Sequence, residues 1–295
     1  ILRSAGMRDT LKLLRIPFSF LLLPIFLLAL SQAPGIDWLR TLAVFAILHL
    51  LVYPASNGYN SYVDKDTGPI GGLKDPPPPT RWLFWITLAM DILAVLGSLW
   101  VGWPFTLGLL GYVLASRAYS SDAIRLKKYP WAGFLTIFCF QGAWTLLTVL
   151  LGVVPAPLHT AIWQPRLLGL ALAASCLVGG VYPLTQIYQH DSDAERGDRS
   201  LSALLGYRGT FAFAAGVIAL GQVLLALCLP PHHFWLLQLS LLPVAIYFLI
   251  WARAVWHNPA KADFTGTMRM NWLAASCLNL CFAGLCLLNL PGRPL

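Results

Sequence analysis

Charge is scarce in this chain. Only 11% of its 295 residues are Asp, Glu, Lys or Arg, whereas an average soluble domain carries about 25%. Hydrophobic residues make up 58% of the chain, and the mean hydropathy is +0.68. A soluble fold cannot bury that much apolar surface, and a disordered segment or a coiled coil needs far more charge. The composition therefore favours a polytopic membrane protein built from helices.

Cysteine is also sparse, and its pattern excludes two further classes of protein. The chain has six cysteines, none of which forms a CxxC pair. No group of cysteines and histidines shows the spacing of a zinc site. All six stand in apolar stretches, as small residues packed inside a helical bundle do. A disulfide-linked secreted scaffold and a zinc domain are therefore excluded.

Long apolar runs, separated by proline and glycine, divide the chain into nine segments. A membrane-spanning helix needs about 20 predominantly apolar residues, and each run is close to that length. Tryptophans gather near the run ends, as in the aromatic belts of membrane proteins. We therefore expect an all-α polytopic membrane protein with nine transmembrane helices, at residues 16–33, 38–60, 82–103, 104–121, 131–154, 166–189, 209–229, 234–256 and 270–291.

Basic residues predict the orientation in the membrane. The chain has 20 Lys and Arg against 12 Asp and Glu. Seventeen of the 20 basic residues stand in the N-terminal segment or after an even-numbered span, and the positive-inside rule assigns that face to the cytoplasm. We expect a cytoplasmic N-terminus and an external C-terminus in a bacterial inner membrane. Membrane lipids, and not nucleic acid, are the expected surroundings of this face.

Two segments repeat each other along the chain. Residues 53–68 read YPASNGYNSYVDKDTG, and residues 182–197 read YPLTQIYQHDSDAERG. Two tyrosines, the proline, one aspartate (Asp64 and Asp193) and the final glycine coincide. Amides and carboxylates seldom align by chance. We therefore expect a single transmembrane domain, residues 1–295, with pseudo-repeat halves at about 16–130 and 131–291.

Helical spacing groups the polar side chains of each segment. Residues three and four apart share one face of a helix. The groups are Asn57, Asn60 and Asp64 on helix two, and Gln186, Gln189 and Asp193 on helix six. Polar groups at membrane depth are costly unless they face a cavity or each other. We expect the two faces to meet around one polar site.

Carboxylates that face each other repel unless a cation lies between them. Mg²⁺ takes oxygen ligands and leaves positions for phosphate oxygens, and arginine binds phosphate oxygens by bidentate geometry. The sequence therefore predicts a Mg²⁺ site with a basic clamp for a diphosphate. The expected metal-binding residues are Asn60, Asp64, Asp66, Gln189, Asp191 and Asp193, of which Asp64 and Asp193 are the catalytic pair. The expected diphosphate-binding residues are Lys74, Arg125, Lys127, Arg196 and Arg199.

Some charged residues have a plainer interpretation. Loop residues such as Asp75 and Asp122 fit solvated surface charges as well as they fit a site. Asp91 lies inside the third span, where it either lines the cavity or pairs with a neighbouring helix. For the paired positions of the two repeats, the matching register favours a functional site.

The two segments resemble motifs of the UbiA superfamily of intramembrane prenyltransferases. The first motif of that family is NDxxDxxxD. Here Asn60 stands at the position of its asparagine, and Asp64 stands at the position of its second aspartate. The second motif is DxxxDxxxD, where this chain has Gln189, Asp193 and Gly197. Four family aspartates are thus replaced by serine, glutamine or glycine. The segment from Tyr119 to Lys127 is similar to the family's Tyr-Ser…Arg-x-Lys stretch after helix four.

The resemblance implies a ring of nine helices around a central cavity, with Mg²⁺ and the diphosphate of a polyprenyl donor between the two motifs. The implied reaction is Mg²⁺-dependent transfer of a prenyl group to a lipid-soluble or aromatic acceptor, such as a quinone precursor. The side chains expected along the cavity are Asn57, Tyr62, Tyr119, Gln186 and Tyr188. The alternatives are a membrane transporter and a catalytically silent scaffold. Against a transporter, both motifs lie at one membrane face and the repeat halves run parallel.

Overall fold

The computed structural model describes residues 2–289, with side chains from residue 6 onward. Within that part of the chain the regular structure is helical, and the one β-contact is an isolated bridge between Ile70 and Leu73. The α-helices are α1 (Leu2–Leu14), α2 (Leu23–Gln32), α3 (Trp38–Ala46), α4 (Tyr53–Asp64), α5 (Arg81–Val101), α6 (Trp103–Ser120), α7 (Pro130–Ile137), α8 (Thr145–Val153), α9 (His159–Ile162), α10 (Pro165–Gln186), α11 (His190–Glu195), α12 (Leu201–Cys228), α13 (Pro231–His257) and α14 (Phe264–Leu288).

Eight helical segments are long and apolar enough to cross a membrane. They are Gly6–Gln32, Trp38–Asp64, Arg81–Val101, Pro130–Val153, Pro165–Gln186, Leu201–Cys228, Pro231–His257 and Phe264–Leu288. The remaining expected span is also helical, as α6, but α6 is not among these eight. Its last turns carry polar side chains, including Ser116, Arg117 and Ser120, which lower its mean hydropathy. The protein is therefore all-helical with several apolar helices, as the composition predicts.

Glycine, proline and π-helical turns interrupt the spans. α5 ends at Val101 because Gly102 has a φ of 140°, a backbone conformation that favours glycine. α6 begins directly afterwards at Trp103, with Pro104 in its first turn. Two spans continue through π-helical turns, at Ile47–Val52 between α3 and α4 and at Phe138–Trp144 between α7 and α8. Such turns are frequent at functional sites, and the second one contributes to the cavity wall.

Buried hydrophobic side chains form one large cluster and several smaller ones between the helices. Among the side chains of the large cluster are Leu28, Phe105, Val149 and Leu170, none of which is exposed. α14 packs against both α13 and α2, and α10 packs closely against α12. We call the end of the bundle where α4 ends at Asp64 the polar end, because charged side chains gather there around a cavity.

Candidate active site

A cavity of about 350 Å³ lies at the polar end. Helices α4, α6, α10 and α14 line it, together with the turn Ile16–Leu21 and the π-helical turn Phe138–Trp144. Charged and amide side chains lie around its polar end, and leucine, valine and phenylalanine side chains cover its deeper wall. The cavity therefore combines a charged rim with an apolar interior.

The first repeat contributes Asn60 and Asp64 from one face of α4, as the spacing predicts. Asp64 has 6% of its side chain exposed and forms ion pairs with Lys127 and with Arg125, the latter at 3.3 Å. The Asn60 Oδ1 accepts hydrogen bonds from Ser120 Oγ at 2.8 Å and from Lys127 Nζ at 3.1 Å. The α4 carboxylate is therefore neutralised by cations from the loop after α6.

Asp66 follows the end of α4. The helix stops because Lys65 adopts a left-handed conformation with a φ of 51°, which turns the chain back towards the cavity. Asp66 forms an ion pair with Arg196 of the second repeat. Burial and the neighbouring Asp64 carboxylate raise the pKa of Asp66, and the Arg196 guanidinium opposes that shift.

The second repeat departs from the predicted continuous helix face. The spacing predicts Gln186, Gln189 and Asp193 along one helix, but α10 ends at Gln186. The chain then turns, and Gln189 immediately precedes the short helix α11, which carries Asp193. The prediction of one helix through all three residues is therefore wrong, although all three side chains still line the cavity.

Tertiary contacts account for the turn between α10 and α11. The His190 ring nitrogen Nε2 lies 2.8 Å from Ser202 Oγ, and the ring stacks on Tyr207 of α12. On the other side, Gln189 Nε2 donates to the Pro69 carbonyl at 3.2 Å. These contacts hold α11 against α12 and against the loop after α4. A helix that continued straight from α10 could not make them.

Asp193 and Arg196 lie one turn apart on and just after α11. Arg196 lies 3.3 Å from the Asp193 carboxylate and also pairs with Asp66, so it joins the two repeats. Burial raises the pKa of Asp193 to about 6, and the Arg196 guanidinium opposes that rise. The two matching aspartates, Asp64 and Asp193, thus line the same cavity at its charged rim.

Asp198, just after α11, also lines the cavity. Its carboxylate accepts two hydrogen bonds from Arg125, from Nε at 2.8 Å and from Nη2 at 2.7 Å. These bonds favour the charged guanidinium and raise the pKa of Arg125 above its usual value. Because Arg125 also contacts Asp64, it is a second bridge between the repeats.

A layer of hydroxyl and amide groups lies next to the charged cluster. The hydroxyls of Tyr119 and Tyr182 are 2.8 Å apart, and Gln186 Nε2 donates to Tyr182 Oη at 2.8 Å. Asn57 and Tyr188 also line the cavity. This layer offers neutral polar contacts between the charged rim and the apolar interior.

Five expected site residues do not line the cavity. One of them, Arg125, still contacts Asp64 and Asp198 at the rim, and the other four lie apart from both aspartates of the repeats. Lys74 and Arg199 are exposed in loops at the polar end, and Asp191 is exposed on α11. Tyr62 packs on Phe84 of α5 instead, with ring centroids 5.4 Å apart. Charged loop residues next to water are well solvated where they stand. The structure therefore brings together both aspartates of the repeats and separates these four residues from them.

Arg15 lines the cavity. From the sequence alone, it counts only as one of the basic residues that predict the orientation in the membrane. Its Nη1 donates to Gly71 O at 3.0 Å and its Nη2 to Asn57 O at 3.2 Å, while its Nε has no partner. Among the described residues no carboxylate lies within ion-pair distance of it. Its φ of 47° is uncommon for a residue other than glycine. One feature of the sequence could have indicated a special role for Arg15. It stands two residues before Pro17, where the first helix breaks.

Asp91 pairs with the neighbouring helix and does not line the cavity. The Arg117 Nε lies 2.9 Å from Asp91 Oδ2, which links α5 to α6. The same guanidinium lies 4.0 Å from the ring centroid of Tyr59. The pair thus joins α4, α5 and α6 beside the cavity.

The donor atoms of the cavity fit a hard cation such as Mg²⁺. Carboxylate oxygens of Asp64, Asp66 and Asp193 line it together with the amide oxygen of Asn60, and Mg²⁺ prefers oxygen ligands. Within residues 2–289 no three carboxylate, histidine or cysteine side chains stand together as a complete metal site. Each of these carboxylates is paired with a lysine or arginine instead. Binding of Mg²⁺ therefore requires that these ion pairs be exchanged for metal contacts.

The profile of the UbiA prenyltransferase family matches residues 21–275. The chain belongs to this family. The resemblance seen in the two polar segments is thereby confirmed over most of the chain. The family assignment agrees with the cavity, where the matching aspartates of the two repeats lie together.

Known relatives of this UbiA family member show how far the likeness extends. It is 30% identical to the bacteriochlorophyll synthase 33 kDa chain of Cereibacter sphaeroides over 202 residues, which cover 65% of this chain and 63% of that one. The chain thus spans somewhat less than two thirds of that relative's length.

Solved structures show the fold. A UbiA homolog from Archaeoglobus fulgidus has a TM-score of 0.67 at 15% identity, and the match covers 94% of this chain and 98% of that one. A structure of a UbiA homolog from the same organism, bound to DMAPP and Mg²⁺, has a TM-score of 0.63 at 15% identity and covers 93% and 99% of the two chains. Sequence identity this low shows a common fold and leaves function to the site itself.

Proposed function

We propose that this UbiA family member transfers a prenyl group from a polyprenyl diphosphate to an acceptor and depends on Mg²⁺. The observation that carries the proposal is the convergence of Asp64 and Asp193 on one cavity that Lys127 and Arg196 also line. A site for a metal-bound diphosphate needs oxygen donors for the metal and cations for the phosphate oxygens. The bound DMAPP and Mg²⁺ of the solved relative support the same assignment.

Donor binding in this proposal rearranges the charged rim. Mg²⁺ held by Asp64, Asp66 and Asp193 would neutralise the diphosphate and so make it a better leaving group. Lys127 and Arg196 leave their carboxylate partners and donate hydrogen bonds to the phosphate oxygens. Ion pairs within the protein are thus replaced by contacts to Mg²⁺ and to the diphosphate. The net charge of the site changes little, because the metal ion and the diphosphate largely offset each other.

The transfer step breaks the allylic C–O bond, and the bonding electron pair leaves with the diphosphate. A new bond forms between the prenyl carbon and the acceptor nucleophile, and the proton that the acceptor loses passes to the released diphosphate. Apolar side chains such as Leu177, Val178 and Leu278 line the deeper wall. They keep water away from the electron-deficient carbon until the acceptor attacks it.

The acceptor in this proposal is a lipid-soluble ring compound. The identity with a bacteriochlorophyll synthase chain favours a large ring system as acceptor. Phe18, Tyr112 and Phe140 supply aromatic surface in the cavity for such a ring. Quinone precursors and other aromatic compounds are the acceptors to compare with it. A panel of these acceptors, assayed with one donor, identifies the class by its kcat/KM.

We infer nine membrane crossings in a ring around the cavity. They are the eight apolar segments and, in addition to them, α6. α5 begins at the polar end, and α6 returns there, since Ser120 at its end hydrogen-bonds to Asn60. α6 packs between α5 and α8. Nine crossings and the distribution of basic residues support a cytoplasmic polar end and N-terminus and an external C-terminus in a bacterial inner membrane.

Release of diphosphate by the purified protein in detergent tests the proposal. With a prenyl diphosphate and an acceptor, we expect release that needs Mg²⁺, stops with a chelator and is lost in Asp64→Asn and Asp193→Asn. Asp75→Asn, which removes an exposed loop carboxylate, is the matched control and should retain activity. Donor binding without any bond cleavage would identify a silent scaffold, and movement of intact donor across a vesicle membrane would identify a transporter.

A further inference from the structure

A second groove lies on the outer surface of the helix bundle, between α13 and α14. Its volume is about 620 Å³, and it is wide open to the surroundings of the protein. Tyr247 of α13 lines one side, and its hydroxyl donates to Gly266 O of α14 at 3.2 Å. Among the described residues, Met268 alone lines both this groove and the cavity at the polar end. The α13–α14 groove is therefore a site of its own, separate from the proposed active site.

Most of the α13–α14 groove is apolar, and it follows α14 away from the polar end. Phe264, Trp272 and Leu273 line it, and Trp272 is 39% exposed. From Phe264 to Ser276, the last residue of the lining, α14 rises through twelve residues, or about 18 Å at 1.5 Å per residue. One leaflet contributes half of a hydrocarbon core that is about 30 Å thick. The groove is therefore long enough for the acyl chain of a lipid in one leaflet.

Arg269 is the one charged side chain among the residues that the structure places in this lining. It is exposed, and no carboxylate of the described residues lies within ion-pair distance of it. It stands five residues beyond Phe264, the first residue of α14, or about 8 Å along the helix. The carboxylate nearest along the chain, that of Asp263, accepts a hydrogen bond from the Gly266 N–H at 2.6 Å and caps α14. A charge inside a membrane span is costly without an opposite charge, so an anion from outside the protein fits this position.

The groups around Arg269 fit a phosphodiester. Thr265 stands one turn before it, so the two exposed side chains share a face of α14. A guanidinium binds phosphate oxygens through charge-assisted hydrogen bonds, and a hydroxyl adds a further donor. A diphosphate carries more negative charge and is bound together with Mg²⁺, whereas the described lining of the groove has one cation and no carboxylate. The groove therefore matches a ligand with a single negative charge.

We propose that the α13–α14 groove binds an anionic phospholipid, whose phosphodiester contacts Arg269 and Thr265 and whose acyl chain lies along Trp272. A zwitterionic head group brings a cation of its own, for which the described lining has no carboxylate partner. A lipid with a net negative charge is therefore preferred. The basic residues of the polar end attract the same lipids. Lipid binding here is independent of the proposed function, because the groove needs neither donor nor acceptor.

Binding of two lipids to the protein in detergent tests this site. Phosphatidylglycerol and phosphatidylcholine with the same acyl chains are titrated separately into delipidated protein, and native mass spectrometry measures the bound lipid. We expect phosphatidylglycerol to bind about fivefold or more tightly, which is the contribution of one arginine at a charged membrane surface. Arg269→Gln should remove this difference. Phosphatidylglycerol with a brominated acyl chain should quench tryptophan fluorescence, and Trp272→Phe should remove part of that quenching.

Two further variants complete the test. Arg253→Gln removes an exposed charge of α13 that does not line the groove, so it should leave both affinities unchanged. Ser276→Phe narrows the deep end of the groove with Arg269 intact and should weaken phosphatidylglycerol binding. It also decides the question if Arg269→Gln fails to fold.

Three results would overturn the inference. The first is equal affinity for the two lipids in the unmodified protein. The second is an equal effect of Arg269→Gln and Arg253→Gln, or unchanged binding in Ser276→Phe. The third is displacement of phosphatidylglycerol by a prenyl diphosphate analogue, which would assign the groove to the substrate.

Discussion

Three of the carboxylates at the cavity rim pair with a cation that lies far away in the sequence, whereas Asp193 pairs with the nearby Arg196. Asp64 pairs with Lys127, Asp66 with Arg196, and Asp198 with Arg125. Removing one partner of a buried ion pair is strongly destabilising, because the other charge is left uncompensated. Helical spacing predicts which carboxylates share a face of α4, but it cannot predict partners that only the tertiary fold brings near.

At the residue scale, we predict that Arg15 binds an anionic oxygen of the substrate. It lines the cavity as a cation without a carboxylate partner among the described residues. Arg15→Gln should weaken binding of inorganic diphosphate with Mg²⁺ about tenfold or more, since hydrogen bonds to charged groups contribute about 1.5–3 kcal/mol. Titration calorimetry measures the change.

A matched variant separates ligand binding from the general loss of a positive charge. Lys12→Gln removes a charge from an exposed residue of α1 and should leave diphosphate affinity unchanged. If Arg15→Gln leaves diphosphate affinity intact and raises only the KM for an anionic acceptor, the anion bound by Arg15 is on the acceptor. If neither quantity changes, Arg15 serves only to hold the Gly71 loop.

A second prediction at this scale concerns two aspartates close to α11. The sequence proposes Asp191 as a metal-binding residue, but its side chain is exposed and does not line the cavity, whereas Asp198 does. We therefore expect Asp198→Asn to raise the Mg²⁺ concentration for half-maximal activity, and Asp191→Asn to leave it unchanged. Mg²⁺ titrations of both variants check this, and the reverse order would restore the assignment made from the sequence.

At the scale of elements, the two repeats show what periodicity can and cannot predict. α4 runs unbroken to Asp64, so the predicted spacing of Asn57, Asn60 and Asp64 on one face agrees with the structure. The matching helix breaks after Gln186 because His190 contacts Ser202 of α12. A contact between different helices is invisible to a periodic pattern, and the turn therefore could not be predicted.

The Asp91–Arg117 pair gives a prediction for the helix packing. Both side chains are largely buried, with 11% and 21% exposure, so removing one leaves an unpaired charge inside the bundle. We expect Asp91→Ala to lower the free energy of unfolding by roughly 3 kcal/mol. The double variant Asp91→Ala/Arg117→Ala should lose less than the sum of the two single losses. Additive losses in denaturant unfolding would show that the pair does not couple α5 to α6.

For the whole molecule, composition predicts most of the architecture. Scarce charge and long apolar runs predict an all-helical membrane protein, and the structure has eight apolar spans. The mean hydropathy of α6 is lower, because Ser116, Arg117 and Ser120 in its last turns lie in the polar surroundings of the cavity. The extent of the cavity could not be predicted, since hydropathy does not tell packed helices from helices around a cavity.

The membrane topology gives a prediction at the same scale. The nine crossings that we propose would place the two chain ends on opposite sides of the membrane, with the basic polar end in the cytoplasm. A reporter fused after Leu288 that is active only outside the cytoplasm should therefore be active, and one fused before the first helix should not. The opposite result for the C-terminal reporter would mean an even number of crossings.

The proposed function requires that the two repeats build one Mg²⁺-diphosphate site. Calorimetric titration of inorganic diphosphate with Mg²⁺ into the unmodified protein, Asp64→Asn, Asp193→Asn and the double variant tests it most directly. If both carboxylates hold the same metal ion, each single variant weakens binding about 10–100-fold, and the double variant loses less than the sum of the two free-energy changes. Single variants that bind as the unmodified protein does, or losses that simply add, would contradict a shared site.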